Sequence, residues 1–286
     1  MAIDPSEVQQ QAWVEETLLL LRELLPLMSP VGRYQYRAKE HAHSIGALAS
    51  ACARSSESVV LLCAYGQLWD AEVVSRSVCE GTLKFMYLLQ AVDTFEKRHD
   101  EYALDLFHIG LLKDHKKAEE LLAGVADPEA PYWRPIQERL LSPDELTDIE
   151  SRFDKYARRS LETKWGFSGL LRHLARSGDP AFSNISCFSH GYSMSSHLMH
   201  ADSIGTSIAL ERDFRSSERR QKLHLSHLAG LLSSQVQYIY MRLKIGYRFV
   251  GHPPDDLLGA EVKIRALENK FGMAYEEWLN CEYRDE

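Results

Sequence analysis

Ten prolines are distributed so unevenly along this 286-residue chain that they set the scale of its secondary structure. None falls between residues 31 and 127 or between 181 and 252, two stretches rich in Ala, Leu, Glu, Arg and Gln. Those residues cost least in a helix interior, whereas proline removes an amide donor and clashes with the preceding turn. No alternating polar and apolar run bounded by turn residues competes with that pattern. The chain is therefore expected to be all-α, a multi-helix bundle forming one large domain or two tightly packed helical subdomains.

The punctuation places the helices. Asp4, Pro5 and Glu7 have the spacing of an N-cap, a first helical position and a capping-box partner, predicting a helix to about residue 28. Trp13, Val14, Leu18, Leu21, Leu24 and Leu25 recur on one face of it. Further helices are expected over 33–53, 70–91, 94–123, 182–203 and 215–250, with a buried segment at 59–69 and one or two helices after residue 255. Four prolines make 124–143 a loop with at most one short helix, and Ser142, Pro143 and Glu145 restart a helix to about residue 164. The expected organisation is an N-terminal helical part (1–123), a proline-rich connection (124–143) and a C-terminal helical part (144–286).

Charge is segregated. Residues 1–150 carry 14 basic and 25 acidic side chains, 151–250 carry 15 and 7, and 251–286 carry 4 and 9, which together give the net charge of −8. The basic segment also holds six of the twelve histidines, so an anionic ligand is expected there, against the alternative that basic and acidic helices simply pack together. Five cysteines without a C-x-x-C pair suggest neither a disulfide framework nor a zinc knuckle. The N-terminus lacks the basic and apolar regions of a secretory signal, and the apolar stretch at 59–68 is too short to span a bilayer, so a cytoplasmic setting without membrane contact is expected.

Four polar groupings stand out. Glu72, Arg76 and Glu80 follow one another at i, i+4 and i+8 on an otherwise apolar helix, where charges need partners. In NISCFSHGYSMSSHLMHADSIG, the residues Tyr192, Ser196 and His200 form one drifting stripe with His197 to one side. Asp202 projects about 160° from His200 on a continuous helix at about 100° per residue, which argues against a metal site made from that segment. The third grouping is basic and includes Arg212, Arg215, Arg219, Arg220, Lys222, His224 and His227; the fourth is the pair His41 and His43. No phosphate-cradling glycine loop, nucleophile elbow or H-E-x-x-H pattern is present, and neither metal nor cofactor is expected.

Gly66, the segment 71–81 with Arg76 and Glu80, then Arg98 and Tyr102, then Trp165 and Gly169, and last a Y-x3-S-x3-H arrangement at Tyr192, Ser196 and His200 occur in that order. Over residues 65–200 the chain thereby resembles the domain of unknown function 5677 family. That family usually has one histidine on the last helix, where this chain offers His190, His197 and His200. The resemblance implies a helical bundle in which Arg76 and Glu80 face the Tyr192 helix. A looser likeness is to the helical HEPN nucleases, whose R-x4–6-H spacing is matched by Arg219 with His224 and by Arg220 with His227.

Together these features lead to an expected effector of defence or toxin type acting on RNA or a nucleotide by histidine-assisted hydrolysis, since histidine most often supplies a base near neutral pH. The expected catalytic group is His200, Ser196, Glu80, Arg76 and Tyr192. Tyr102, Trp165, Arg219, Arg220 and His197 are expected to contact the ligand. The competing expectations are an interaction protein whose polar network only fixes one packing, and a binder of a small ligand at the bundle centre. A homo-oligomer or a protein partner is left open.

Overall fold

The computed structural model describes residues 5–283; Asp4, the expected N-cap, lies outside them. Twelve helices of nine residues or more make the chain all-α, and no strand occurs among the described residues. By its contacts the chain divides into two compact units, residues 1–90 with 171–286, and residues 91–170. This cut differs from the one suggested by the prolines, because 124–143 falls inside the second unit.

In the first unit, α1 (Pro5–Leu24) buries Trp13, Val14, Leu21 and Leu24 of the expected face together with Leu20, whereas Leu18 is half-buried and Leu25, past the helix end, is exposed. Proline 26 then tightens the chain into a 3-10 turn over Leu25–Met28. α2 (Lys39–Ala64) joins the helix expected at 33–53 to the buried segment expected from residue 59, burying Ile45, Leu48, Cys52, Ser56, Val59 and Cys63 along one face. By length and composition alone α2 could cross a membrane, yet its one-sided burial is also that of a helix packed on a bundle. It ends at Gly66, whose φ of +72° suits glycine, and α3 (Leu68–Leu88) starts almost at once.

α3 is the unit's central helix: Leu68, Val78, Leu83, Phe85, Met86 and Leu88 are fully buried. Each such side chain contributes roughly 1.5–3 kcal/mol relative to exposure.

In the second unit, the helix expected at 94–123 is broken into α4 (Val92–Asp100), a π-turn over Glu101–Asp105 and α5 (Leu106–Ala123). After it, only a 3-10 turn (Pro131–Trp133) and four helical residues (Arg134–Gln137) interrupt a connection that is largely exposed apart from Ala130. α6 (Pro143–Arg152) begins with the capping box that its sequence promised: the Ser142 amide donates to Glu145 at 2.8 Å, and the Glu145 amide donates to the Ser142 hydroxyl. α7 (Lys155–Trp165) follows, and α8 (Phe167–Ala175) carries the chain across residue 170 back into the first unit. Limited proteolysis under native conditions is expected to cut first within 124–143, whose backbone is held by few buried contacts; earlier cleavage elsewhere would contradict this.

Returning to the first unit, the single helix expected at 182–203 is instead two 3-10 turns followed by α9 (Phe188–His200). Ala201, with φ of +46°, stops α9, and Asp202 caps α10 (Ser203–Asp213) by accepting from the Ile204 and Gly205 amides. α11 (Ser217–Val250), a 34-residue helix, realises the longest sequence expectation and ends at Gly251 in the left-handed region. α12 (Leu258–Glu282) packs on it and on α1, where Trp13 meets the Phe271 ring edge-on at 5.4 Å.

Candidate functional site

Three helices of the first unit bring their polar residues to one place. α3 and α9 run antiparallel, because Tyr192, early on α9, meets Arg76 and Glu80, while Ser195, one turn later, meets Glu72. α11 closes the other side with His227. The expected face-to-face packing of these helices, with Arg76 and Glu80 toward the Tyr192 helix, is therefore present.

Its registry differs from the expected stripe. The Tyr192 hydroxyl sits between two charges, accepting from Arg76 Nη2 at 2.5 Å and donating to Glu80 Oε1 at 2.6 Å, with the Arg76 guanidinium 4.2 Å from its ring centre. Burial and then the Glu80 carboxylate push the Tyr192 phenol up to about 12, so it remains a donor at neutral pH. The next inward residue is Ser195, three positions on; Ser196 stands on the shoulder and His200 is exposed at the helix end. Neither Ser196 nor His200 has a hydrogen-bond partner among the described residues. A stripe at i, i+4 and i+8 drifts about 40° per step around a helix, so its third member has left the interface.

Ser195 and His227 share Glu72. The Ser195 hydroxyl, with one proton for two acceptors, lies 2.9 Å from Glu72 Oε2 and 2.8 Å from the Gly191 carbonyl oxygen, and His227 Nε2 lies 3.1 Å from Glu72 Oε1. A carboxylate only accepts, so this pairing puts the ring proton on Nε2 and leaves Nδ1 with its lone pair. No hydrogen bond to Nδ1 occurs among the described residues. Trp69 lies 4.7 Å from the His227 ring and also carries the Arg212 guanidinium 4.6 Å above its own ring. One helical turn back from His227, His224 Nε2 meets Gln10 Oε1 at 2.9 Å, and a cavity of about 570 Å³ lined by Gln10, Gln11, Tyr65 and Gly66 adjoins that end.

Two donors in this cluster are conspicuous. Nη1 of Arg76 and Nη1 of Arg212 are buried without a hydrogen-bond partner, which is costly unless something else meets them. Burial, followed by the positive charge of Arg212 and by His227, pushes His224 below its ordinary value of 6.5. The unfolded chain therefore takes up this proton at higher pH than the folded one. Stability is full above pH 6.5 and declines as pH falls through the window beneath it. Urea midpoints measured between pH about 5.5 and 7.5 should show that decline, and His224→Gln should flatten it; an unchanged slope in the variant would contradict it.

The remaining expected site residues lie elsewhere. Tyr102 and Trp165 belong to the second unit, where their rings are 5.5 Å apart and Trp165 Nε1 donates to Glu101 at 3.0 Å beside Lys164. His197 pairs with Asp202 at 2.7 Å, a contact missed by projecting one continuous helix, because the left-handed turn at Ala201 folds Asp202 back. In the basic segment, Arg215 pairs with Glu211 and Glu282, and Lys222 with Glu277. Arg220 is exposed, while Arg219 is half-buried. No group of three or more His, Cys, Asp or Glu converges in a metal-holding arrangement among the described residues.

Sequence reasoning named Glu72 and His227 only as parts of larger groupings and passed over Ser195 for its neighbour. The i, i+4, i+8 ladder on α3 was the signal for Glu72. Nothing local marks His227, because its partner is 155 residues away. A family model described as a family of unknown function, DUF5677, matches residues 42–219, more than half of the chain. No curated protein and no solved structure matches it.

Proposed function

The chain belongs to the DUF5677 family, and from the site's own geometry we propose that it hydrolyses a nucleotide by acid–base catalysis, with His227 as the base. The observation that carries this reading is the shared Glu72 carboxylate, which orients His227 and leaves Nδ1 as a lone-pair nitrogen in a half-buried polar cluster. A carboxylate holding an imidazole in one tautomer is the usual arrangement for a histidine base. Arg76 and Arg212, each with an unmet guanidinium donor, supply positive charge for a phosphate. Tyr192 and Glu80 hold Arg76 in place. On this reading His227, oriented by Glu72, takes the place of His200 and Ser196, while Arg76 keeps its expected place in the catalytic group.

A small nucleotide is favoured over an RNA strand because two cations of the basic segment, Arg215 and Lys222, already pair with carboxylates of this chain. A strand contacting three to five phosphates would bind with a log–log salt slope of about −2 to −3.5. Titrating the protein with ATP and with a single-stranded RNA at rising salt separates the two. Nucleotide binding with an RNA slope shallower than about −0.7, or with no RNA binding, supports the proposal. The steep slope would return RNA as the substrate.

One observation favours a non-catalytic reading. Arg76, Tyr192 and Glu80 satisfy one another almost completely, as in a network that fixes a single packing. On that reading the chain is an interaction protein, and substitutions at His227 change its stability alone. We extend the proposal to an effector role in the cytoplasm.

A further inference from the structure

Toward the end of α11 away from His227 the polar seam closes in an unusual group. Along the α3–α11 contact, Gln235 donates to Ser75 at 2.8 Å, and about two turns later Arg242 donates through Nη1 to the Thr82 hydroxyl at 2.5 Å. Arg242 is 1% exposed. Among the described residues no carboxylate forms an ion pair with it, and its hydrogen bond to Thr82 engages Nη1 alone. The neighbouring Cys52 thiol is pushed up by burial and stays neutral, so it offers no compensating charge. An unpaired guanidinium in such a place costs several kcal/mol unless something meets it.

What it meets is a cavity. Arg242 lines a space of about 410 Å³ between α1 and α2 whose walls are mostly apolar, including Leu21, Leu25, Ala49, Ala53 and Ile239. The Ser56 hydroxyl, also on its lining, is buried and without a partner. Largely apolar walls with a few converging polar groups are the usual make-up of a small-molecule site. The small side chains along α2 open the space, and the exposed pair Arg22 and Glu57, 3.8 Å apart, stands at its rim.

We propose that this cavity binds an aliphatic carboxylate, its head group on Arg242 Nε and Nη2 and its chain along the α1–α2 walls. A carboxylate suits the fork of a guanidinium and carries one charge to its one. A phosphate monoester would bring nearly two charges at neutral pH and leave one of them buried without a partner. This inference does not rest on the nucleotide site, which lies at the other end of the seam.

The test is a titration of the full chain with decanoate and with decanol, read by calorimetry. Wild type should bind decanoate at least tenfold more tightly than decanol. Arg242→Met should lose that preference while still binding decanol, because removing an unpaired buried charge for an apolar side chain of similar length leaves the fold intact. Ala49→Phe, which keeps Arg242 and fills the cavity, should lose both ligands. A wild type that binds the two equally, or neither at millimolar concentration, overturns the proposal whatever the variants do. So does an Arg242→Met protein with undiminished preference for decanoate.

Discussion

His227→Ala is expected to lower turnover of the nucleotide by about 10²–10⁴-fold, the usual contribution of a positioned general base. The fold should survive, because His227 is half-buried at one end of α11 and the rest of that helix stays seated by Leu228, Leu231, Leu232 and Leu243. Glu72→Gln provides the companion measurement. An amide can keep a hydrogen bond to Ser195 or to His227, but it no longer selects the Nε2 tautomer by charge. Its loss of activity should appear mainly in kcat, with substrate binding left to Arg76 and Arg212. A His227→Ala protein that is folded and fully active would remove the histidine from the mechanism.

Gly205→Ala is expected to lower stability by about 2–4 kcal/mol, even though alanine is the better helix former by roughly 0.5–1 kcal/mol. A Cβ at this position would stand 2.3 Å from the His197 carbonyl oxygen and 2.5 Å from its carbon. Both are backbone atoms of α9, so relief requires moving the helix that carries Tyr192 and Ser195 rather than turning a side chain. Gly191→Ala on the same helix is the control, since a Cβ there meets nothing within 4 Å and should be neutral or slightly stabilising. Thermal melts of the two variants should therefore move in different directions, and equal melts would show that the α9–α10 corner tolerates displacement.

The helices were legible wherever local chemistry decides them. The Ser142–Glu145 capping box, the proline-free run of α11 and the buried stripe of α1 need only neighbours a few residues away. Legibility failed where a single backbone residue or a distant partner decides. Ala201 in the left-handed region is not a residue that announces a stop, and it divides α9 from α10 and brings Asp202 to His197. The π-turn over Glu101–Asp105 likewise has no signal in the sequence.

The candidate site shows the same boundary between local and long-range information. Arg76, Glu80 and Tyr192 were readable, two of them as a charged ladder on an apolar helix and the third from the likeness of its helix to the family. Choosing Ser195 over Ser196 turns on about 100° of helix rotation, fixed only by how α9 rolls against α3. The assignment of histidine could not be made from α9 alone, because the one that meets Glu72 comes from α11.

The most direct measurement of the central claim is product analysis after incubating the protein with a pool of nucleotides in the presence of EDTA, wild type beside His227→Ala. The account predicts phosphate or nucleoside product from the wild type that persists in EDTA and falls by about 10²–10⁴-fold in the variant. No product from folded wild type, or equal product from both proteins, would contradict it.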